Sequence, residues 1–309
     1  MRTGRVIKST GKWYQVLEDS GQAWECRIRG KMRLKGLRTT NPIAVGDRVD
    51  FEPEEGDDHQ RGIISNIHER TNAIIRKSVN LSHEAHVVAS NIDVAFLVVT
   101  LTKPATSTGF IDRFLVTAEA YGVKTVLVFN KTDLYGEDET AFHEYLTAVY
   151  SDIGYECLDT CAASGEGVEH VHARIVGNTA MFGGHSGVGK STLINAMEPG
   201  LNIRTAEVSE THEKGKHTTT FAEMHPLENG GFIIDTPGIK GFGIINIEQD
   251  ELHHYFPEMF ELLPECKFHN CRHLNEPGCA VQDALDQGYI AAHRYDSYVA
   301  MYHQEEGYR

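Results

Sequence analysis

Polar and apolar positions alternate over short stretches in the first 72 residues, and turn-forming residues separate these stretches. Residues 5–7, 24–28 and 48–51 are examples, with glycine, Asn-Pro and Asp-rich segments between them. Short strands of this kind predict a small all-β barrel. The acidic segment 52–60 shows no period and is predicted to be a loop.

The pattern changes from residue 92 onward, where strand-like apolar runs alternate with helix-like segments. The runs are residues 94–99, 125–129, 179–182 and 231–234. Apolar residues recur every three or four positions over residues 110–120 and 142–150. This β/α alternation predicts a mostly parallel sheet that helices cover on both faces.

The last part of the chain, from about residue 246, is rich in histidine, cysteine, tyrosine and acidic residues. This composition predicts a small helical domain that a metal ion holds together. We therefore expect an α/β protein in three parts, with boundaries at 1–72 for the barrel, 73–245 for the sheet and 246–309 for the helical end.

Composition narrows the classes of protein that fit. The chain has 309 residues, 40% of them hydrophobic and 24% charged, which is typical of a folded protein with a sizeable core. The longest apolar run, residues 94–99, is too short to cross a bilayer, and the first residues lack an apolar signal core. Six cysteines are too few for a disulfide scaffold. We expect a cytoplasmic protein without membrane contact.

Charge is unevenly distributed along the chain. The formal net charge is −15, which disfavours a nonspecific nucleic-acid binder, yet residues 1–50 hold 11 basic and 5 acidic side chains. Cations recur there at every second position, which would place them on one face of a strand: Arg27, Arg29, Lys31, Arg33 and Lys35. This face is either a surface that follows RNA phosphates or an ordinary solvated strand face.

The strongest chemical signal is a stretch that fits G-x-x-x-x-G-K-[ST]. It comprises Gly184, His185, Ser186, Gly187, Val188, Gly189, Lys190 and Ser191, with Thr192 next. A predicted strand precedes it and a predicted helix follows it, so its backbone amides and the helix N-terminus would hold phosphate oxygens. Lys190 would reach the β- and γ-phosphates, and the Ser191 hydroxyl would coordinate Mg²⁺. The alternative is a glycine-rich turn without a ligand.

Two further segments extend this phosphate site. Asp235 follows an apolar run and would hold Mg²⁺ through water, while Gly238, three residues later, would offer its amide to the γ-phosphate. Between the two motifs lies the threonine-rich segment 214–220. This segment would act as a switch if it forms a loop that closes on Mg²⁺ only when a γ-phosphate is bound. The alternative is an edge strand, which three threonines also suit.

A second group of residues indicates which base is bound. Asn130, Lys131 and Asp133 follow a predicted strand. The Asp133 carboxylate would accept hydrogen bonds from the N1 and N2 donors of guanine, which adenine lacks, so an ATP-dependent enzyme is disfavoured. Lys131 would lie along the base, and Asn130 would tie the loop to the phosphate site. Cys161 and Ala162 follow another possible strand, and the Ala162 amide would meet guanine O6.

The order of these motifs is unusual. The base-reading residues near 130 and 161 precede the phosphate loop at 184, whereas ordinary GTPases have the reverse order. Because ligand contacts come from the carboxyl ends of parallel strands, a rotated order preserves the site. The segment after Gly238 would then lead directly into the C-terminal domain, which would anchor the switch.

The residue that positions the hydrolytic water is not obvious. Many GTPases have a glutamine directly after the Asp-x-x-Gly motif, but this chain has Ile239 there. His217, in the predicted switch, is the available candidate, since a neutral imidazole can orient water or accept its proton. The alternative is that His217 is a surface histidine.

Three cysteines and a histidine form a candidate metal site near the end of the chain. Cys266, Cys271, His273 and Cys279 lie within 14 residues and suit tetrahedral Zn²⁺. Four protein ligands leave no open position, which predicts a structural site. His269 is a competing ligand, and reduced cysteines in a loop are the alternative.

Together these motifs resemble the ribosome small subunit-dependent GTPase A family, whose GTPase domains are circularly permuted. The resemblance covers nearly the whole chain, although Ala163 replaces a lysine often found in the family. It implies an N-terminal OB-fold and Zn²⁺ bound by the four ligands above. Thr219 is then expected to bind Mg²⁺ and to be a catalytic residue together with Lys190 and His217. The resemblance also implies GTP hydrolysis to GDP, stimulated by the small ribosomal subunit during its late maturation near 16S rRNA.

A monomer is expected. The alternative function is a nucleotide-stabilised RNA-binding module with little turnover.

Overall fold

The computed structural model describes residues 1–28, 42–54, 60–77, 85–201, 203, 222–228, 230–235 and 247–303. Several predicted positions lie outside these residues: Arg29, Lys31, Arg33, Lys35, segment 214–220 with His217 and Thr219, Gly238 and Ile239.

The N-terminal strands close into a barrel. They are β1 (Arg2–Ser9), β2 (Tyr14–Glu18), β3 (Ala23–Ile28), β4 (Arg48–Pro53) and β5 (Arg61–Ile67). The order is β1-β2-β3-β5-β4, closed by β1–β4 pairing, and β3 runs parallel to β5. This is the OB-type arrangement, so the predicted barrel is confirmed. Strand β4 extends into the predicted loop because Glu52 and Pro53 find partners on β5.

Alternating positions of these strands fill the barrel interior. Val6, Val16, Cys26, Phe51 and Ile64 are all fully buried. The hairpin of β6 (Ala73–Lys77) and β7 (Ala85–Ser90) then leads into the rest of the chain.

The central sheet is built from β8 (Val94–Val99), β9 (Lys124–Asn130), β10 (Glu156–Thr160), β11 (Thr179–Gly183), β12 (Glu223–Pro226) and β13 (Phe232–Asp235). Strands β10-β9-β8-β11-β13 are parallel in that order, as predicted. Strand β12 is antiparallel to β13 and also pairs with β1. The barrel and the central sheet therefore share one continuous hydrogen-bonded ladder.

Helices cover both faces of this sheet: α1 (Thr108–Ala120), α2 (Glu137–Asp152), α3 (Val168–Ile175) and α4 (Lys190–Met197). Leu97 on β8 packs in the cluster that α1 and α2 complete, and its neighbour Phe96 packs in the cluster of α3 and α4. Helix α2 begins five residues before the predicted segment 142–150, because its first turn is acidic and lacks apolar periodicity. We call this sheet with its four helices, among the described residues, the central domain.

The C-terminal residues form α5 (Pro257–Leu262), α6 (Ala280–Asp286) and α7 (Ala292–Tyr302), with 3-10 turns at 249–255 and 263–265. We call α5–α7 and these turns the C-terminal helices. They pack around Phe256, Met259 and Tyr298, and Val116 of α1 joins the same cluster. The predicted helical end is confirmed. No helix in the described part of the chain is long and apolar enough to span a membrane.

Candidate functional site

The loop between β11 and α4 has a backbone that requires glycine. Gly184 has φ +133°, and a Cβ atom there would lie 2.2 Å from the carbonyl oxygen of Val98. Gly189 has φ +99°, and a Cβ there would lie 2.3 Å from Asn130 Nδ2. The loop therefore folds tightly against the ends of β8 and β9, where a phosphate group would meet backbone amides rather than side chains.

Lys190 begins α4 at the mouth of this loop. Its Nζ donates hydrogen bonds to the carbonyl oxygens of Gly184, at 2.8 Å, and His185, at 2.6 Å. The ammonium group is thus held over the turn that phosphate oxygens would enter. Ser191 follows on the first turn of α4 and is half-buried, while Ser186 and Thr192 are exposed.

His185 makes a contact that the sequence did not predict. Its ring stacks on Phe110, in the first turn of α1, with centroids 3.8 Å apart and an interplanar angle of 29°. Burial, assisted by the nearby Lys190 ammonium, lowers the pKa of His185, so the imidazole is neutral at pH 7. The sequence pattern indicates only that Phe110 begins an amphipathic helix, because its partner lies 75 residues away.

Asn130, at the end of β9, links the two halves of the predicted nucleotide site. The residue is buried; its Nδ2 donates to the Val188 carbonyl at 2.8 Å. Its Oδ1 accepts from the Thr160 hydroxyl and from the Ala162 N–H, both at 3.0 Å. One side chain thus joins the phosphate loop to the carboxyl ends of β9 and β10.

Lys131 has a left-handed backbone, with φ +63°. Its Nζ donates to the carbonyl oxygens of Lys103 and Gly187, each at 2.7 Å. The aliphatic stem of this lysine therefore runs from the base-reading segment towards the phosphate loop.

Asp133 is exposed and lies in a 3-10 turn after Lys131. Its Oδ1 accepts from the buried Cys161 thiol at 3.0 Å. The Ala162 N–H, predicted to meet guanine O6, donates here to Asn130. The structure therefore brings the predicted base-reading residues and the phosphate loop to one edge of the sheet.

Asp235 is the last residue of β13. Because Met181 of β11 pairs with Ile234, Asp235 follows at the carboxyl edge, next to the strand that enters the phosphate loop. This is the edge at which ligands bind in open α/β sheets.

The cysteine–histidine cluster is assembled as predicted. One ligand atom from each of Cys266, Cys271, His273 and Cys279 lies within 4.8 Å of the others, so the group can hold a metal ion. His273 Nδ1 is 3.6 Å from Cys266 Sγ and 3.4 Å from Cys279 Sγ, which identifies Nδ1 as the donor atom. The competing residue His269 is exposed and lies outside this group.

Protonation of the cysteine thiols opposes metal binding at this cluster. Burial raises the pKa of the Cys271 and Cys279 thiols, so a bound cation must displace their protons. Soft thiolates with one imidazole in a closed arrangement suit tetrahedral Zn²⁺, and burial of three ligands favours a structural role.

A buried ionic network that the sequence did not reveal joins α1 to the C-terminal helices. Arg294 of α7 and Asp112 of α1 are both fully buried, with Arg294 Nη1 2.8 Å from Asp112 Oδ1. Arg294 Nε also meets Glu258 Oε1 at 2.7 Å, and the Ser297 and Tyr150 hydroxyls donate to Asp112. Burial alone would lower the pKa of Arg294, but the Glu258 and Asp112 carboxylates outweigh it and raise that pKa.

Comparison with known families gives consistent matches. A family model described as RsgA GTPase matches residues 67–245, and one described as RsgA N-terminal domain matches residues 3–64. The chain is 54% identical to a small ribosomal subunit biogenesis GTPase RsgA of Christiangramia forsetii, over 99% of this chain and 98% of that protein. The RsgA of Bacteroides fragilis strain YCH46 is 53% identical over 98% and 97% of the two chains.

Solved structures show the same architecture. A crystal structure of YjeQ from Thermotoga maritima superposes with a TM-score of 0.82 and 37% identity, covering 100% of this chain and 99% of that one. The structure of YloQ, described as a circularly permuted GTPase, gives a TM-score of 0.76 and 32% identity, covering 98% and 94%. The likeness therefore extends through the barrel, the central sheet and the C-terminal helices.

Proposed function

The chain belongs to the RsgA GTPase family, from which we infer that it is a GTP hydrolase of small ribosomal subunit biogenesis with a circularly permuted GTPase domain. We propose that it binds the small subunit near 16S rRNA, is stimulated by it and acts late in its maturation. The names of the relatives support the ribosomal part of this proposal, and the observation that carries its nucleotide-binding part is the position of Asn130. It holds the base-reading residues directly against the phosphate loop.

In this proposal each part of the site has one task. The amides of residues 184–190 and the Lys190 ammonium bind the phosphates, and Lys190 exchanges its two carbonyl partners for phosphate oxygens. Ser191 and Asp235, with Thr219, would hold Mg²⁺, which neutralises charge that develops on the phosphates. Asp133 selects guanine, because ATP would leave its carboxylate without donors.

Hydrolysis itself is assigned to the predicted switch. His217 would orient the attacking water, and Gly238 would offer its amide to the γ-phosphate. Both residues lie outside the described part of the chain. The pairing of β12 with β1 supports communication with the barrel, because β12 begins just after segment 214–220.

Zn²⁺ is the metal that we propose for Cys266, Cys271, His273 and Cys279. It would cross-link a segment whose own core is small. We also propose that the functional units are 1–72, 73–245 and 246–309, that the protein is a cytoplasmic monomer, and that the cationic barrel face contacts rRNA. On that face Arg27 is paired with Glu54, Nε to Oε1 at 2.8 Å.

The test is GTP turnover with and without purified small ribosomal subunits. Wild type is expected to show stimulated turnover, and Lys190→Ala is expected to lose it. The matched control is Lys124→Ala, an exposed lysine at the opposite end of β9 from Asn130. Stimulated turnover that survives Lys190→Ala would reject the assigned site. Subunit binding without turnover by wild type would favour the nucleotide-stabilised RNA-binding module.

A further inference from the structure

Helix α1 directs two phenylalanines towards the strand and the loop that would hold the phosphates. Phe114 is buried, and a Cβ atom at Gly183, the last residue of β11, would lie 2.3 Å from its Cε2. One turn earlier, Phe110 stacks on His185, with ring centroids 3.8 Å apart. Residues four apart share one face of a helix, so this face of α1 follows the chain from β11 into the phosphate loop.

The position of Phe110 is fixed within α1, independently of the loop. Its N–H donates to the carbonyl oxygen of Ser107 at 3.1 Å, and the Ser107 side chain caps the helix. Ile111 is fully buried, and Asp112 is held by Arg294. The Phe110 ring therefore projects from an element that needs no nucleotide to stay in place.

The phosphate loop is attached to the rest of the central domain on two sides. On the base-reading side, Asn130 and Lys131 donate to the carbonyl oxygens of Val188 and Gly187, which lie in the second half of the loop. In the first half, the His185 ring stacks on α1. Aromatic pairs in this geometry attract each other beyond the effect of burial alone, so the stack restrains the first half of the loop.

The attachment at His185 is needed because Lys190 cannot restrain the loop once the site is occupied. Lys190 Nζ binds the carbonyl oxygens of Gly184 and His185, at 2.8 and 2.6 Å. In the proposed function it exchanges both for phosphate oxygens, so the loop loses two internal hydrogen bonds as the nucleotide binds. The stack on Phe110 uses neither group and persists. A loop that keeps its shape loses less conformational entropy on binding.

We propose that Phe110 is a positioning residue of the nucleotide site. It holds His185, and through it the first half of the phosphate loop, in the shape that receives the phosphates of a guanine nucleotide. The proposal rests on the proposed function in that GDP and GTP are the ligands of this loop. It adds a residue that lies outside the sequence motifs of the site.

Affinity for a fluorescent N-methylanthraniloyl GDP, measured with the full chain and Mg²⁺, tests this role. Phe110 is half-buried, and Phe110→Leu keeps an apolar side chain there but removes the ring. Its dissociation constant for this probe should rise about threefold to tenfold, which is the contribution of an aromatic pair. Phe110→Tyr retains the ring and should bind within about twofold of wild type. Equal affinity of Phe110→Leu and wild type would overturn the proposal.

The matched control is Phe142→Leu on α2. Phe142 also belongs to a stacked aromatic pair, with Tyr145 at a centroid distance of 6.3 Å and an interplanar angle of 18°, but both side chains are exposed. This variant should bind the fluorescent GDP like wild type. A loss equal to that of Phe110→Leu would mean that the effect is not specific to the phosphate loop, and the proposal would fail.

Turnover separates positioning from general stability. The stack is present in both the ground state and the transition state. Phe110→Leu should therefore raise KM for GTP about threefold to tenfold, while kcat at saturating small subunits stays within about twofold of wild type. A variant that had only lost folded protein would show a lower kcat at unchanged KM, and that result would contradict the proposal.

A double-mutant cycle tests whether Phe110 acts through His185. His185→Ala should weaken binding of the fluorescent GDP by a similar factor, and Phe110→Leu should weaken it no further, because the stack is already lost. Two factors that multiply in the double variant would mean that Phe110 acts without His185, which would overturn the proposal.

These outcomes separate from the proposed function. If wild type showed no subunit-stimulated turnover while Phe110→Leu still bound the fluorescent GDP more weakly, the positioning role would stand and the proposed stimulation would fail. Stimulated turnover by wild type, together with unchanged affinity and KM in Phe110→Leu, would reject the positioning role and leave the proposed function intact.

Discussion

The barrel and the C-terminal helices flank the same central domain, but they are attached to it in different ways. The barrel continues the central sheet through backbone pairing of β1 with β12. The C-terminal helices pack on α1 through apolar contacts and one fully buried arginine, Arg294. The attachment of the barrel is spread over many backbone and side-chain groups. The attachment of the C-terminal helices has its charge concentrated in the single side chain of Arg294.

Several separate side-chain contacts help to hold the barrel to the rest of the molecule. Asp47 is buried, and it accepts from Arg70 Nε at 2.6 Å, from Arg70 Nη2 at 2.7 Å and from the Ser90 hydroxyl at 2.6 Å. Arg5 of β1 donates to the Thr179 hydroxyl of β11 at 2.6 Å. No one of these contacts carries the attachment alone, so loss of one should leave the barrel in place.

On the C-terminal side, helix α1 links the buried arginine to the nucleotide site. Asp112, which holds Arg294, lies two residues after Phe110, which stacks on His185 of the phosphate loop. Helix α1 therefore contacts both the C-terminal helices and the phosphate loop. Loss of Arg294 should therefore affect more of the molecule than loss of any single barrel contact.

Chelation of the proposed metal should destabilise the C-terminal helices more than any other change. A structural Zn²⁺ is worth roughly 10 kcal/mol or more in small domains, so chelation should unfold the C-terminal helices while the barrel stays folded. Limited proteolysis with mass spectrometry should show new cleavage within 247–303. Cys279→Ser should lose the metal, measured by elemental analysis, and Cys157→Ser should retain it. Full protease resistance after chelation would contradict a structural role.

Arg294→Met should have the next largest effect. It leaves Asp112 and Glu258 buried without a cation, which costs about 3–5 kcal/mol of unfolding free energy. Urea denaturation measures this loss, and adding Asp112→Asn should recover part of it. The control Arg174→Met removes a half-exposed pair with Glu156 and should cost less than about 1 kcal/mol. Equal losses in the two variants would show that burial of Arg294 is not decisive.

Asp47→Asn tests the attachment of the barrel at a fully buried carboxylate. The change weakens the contacts to Arg70 and Ser90, and we expect a loss of about 2–3 kcal/mol. The loss should be smaller than for Arg294 because Arg70 is 13% exposed and water can solvate it. Hydrogen exchange at the Ser90 amide should accelerate while exchange within α7 stays slow. Faster exchange in α7 as well would mean that the two attachments are coupled.

The sequence predicted those features that local patterns encode. The phosphate loop, the Asn130–Asp133 segment and the four metal ligands are short motifs whose spacing follows from the ligand, and the strands follow from apolar runs. The attachments could not be predicted in this way. Asp112 and Arg294 are 182 residues apart, and each looks like an ordinary polar position on a helix. The same holds for Phe110 and His185, and for Lys8 and Glu223, because pairing between distant elements leaves no period in the sequence.

The smallest effect is expected at the pair that joins the barrel to β12, Lys8 and Glu223. Their side chains are 41% and 35% exposed, so water screens the attraction between Lys8 Nζ and Glu223 Oε1, 3.1 Å apart. A double-mutant cycle with Lys8→Met and Glu223→Gln should give a coupling of about 0.2–1 kcal/mol, and added salt should reduce it. A coupling near 3 kcal/mol, insensitive to salt, would mean that the barrel too depends on one ion pair. The contrast between a distributed and a concentrated attachment would then fail, because both flanking regions would rest on a single charge.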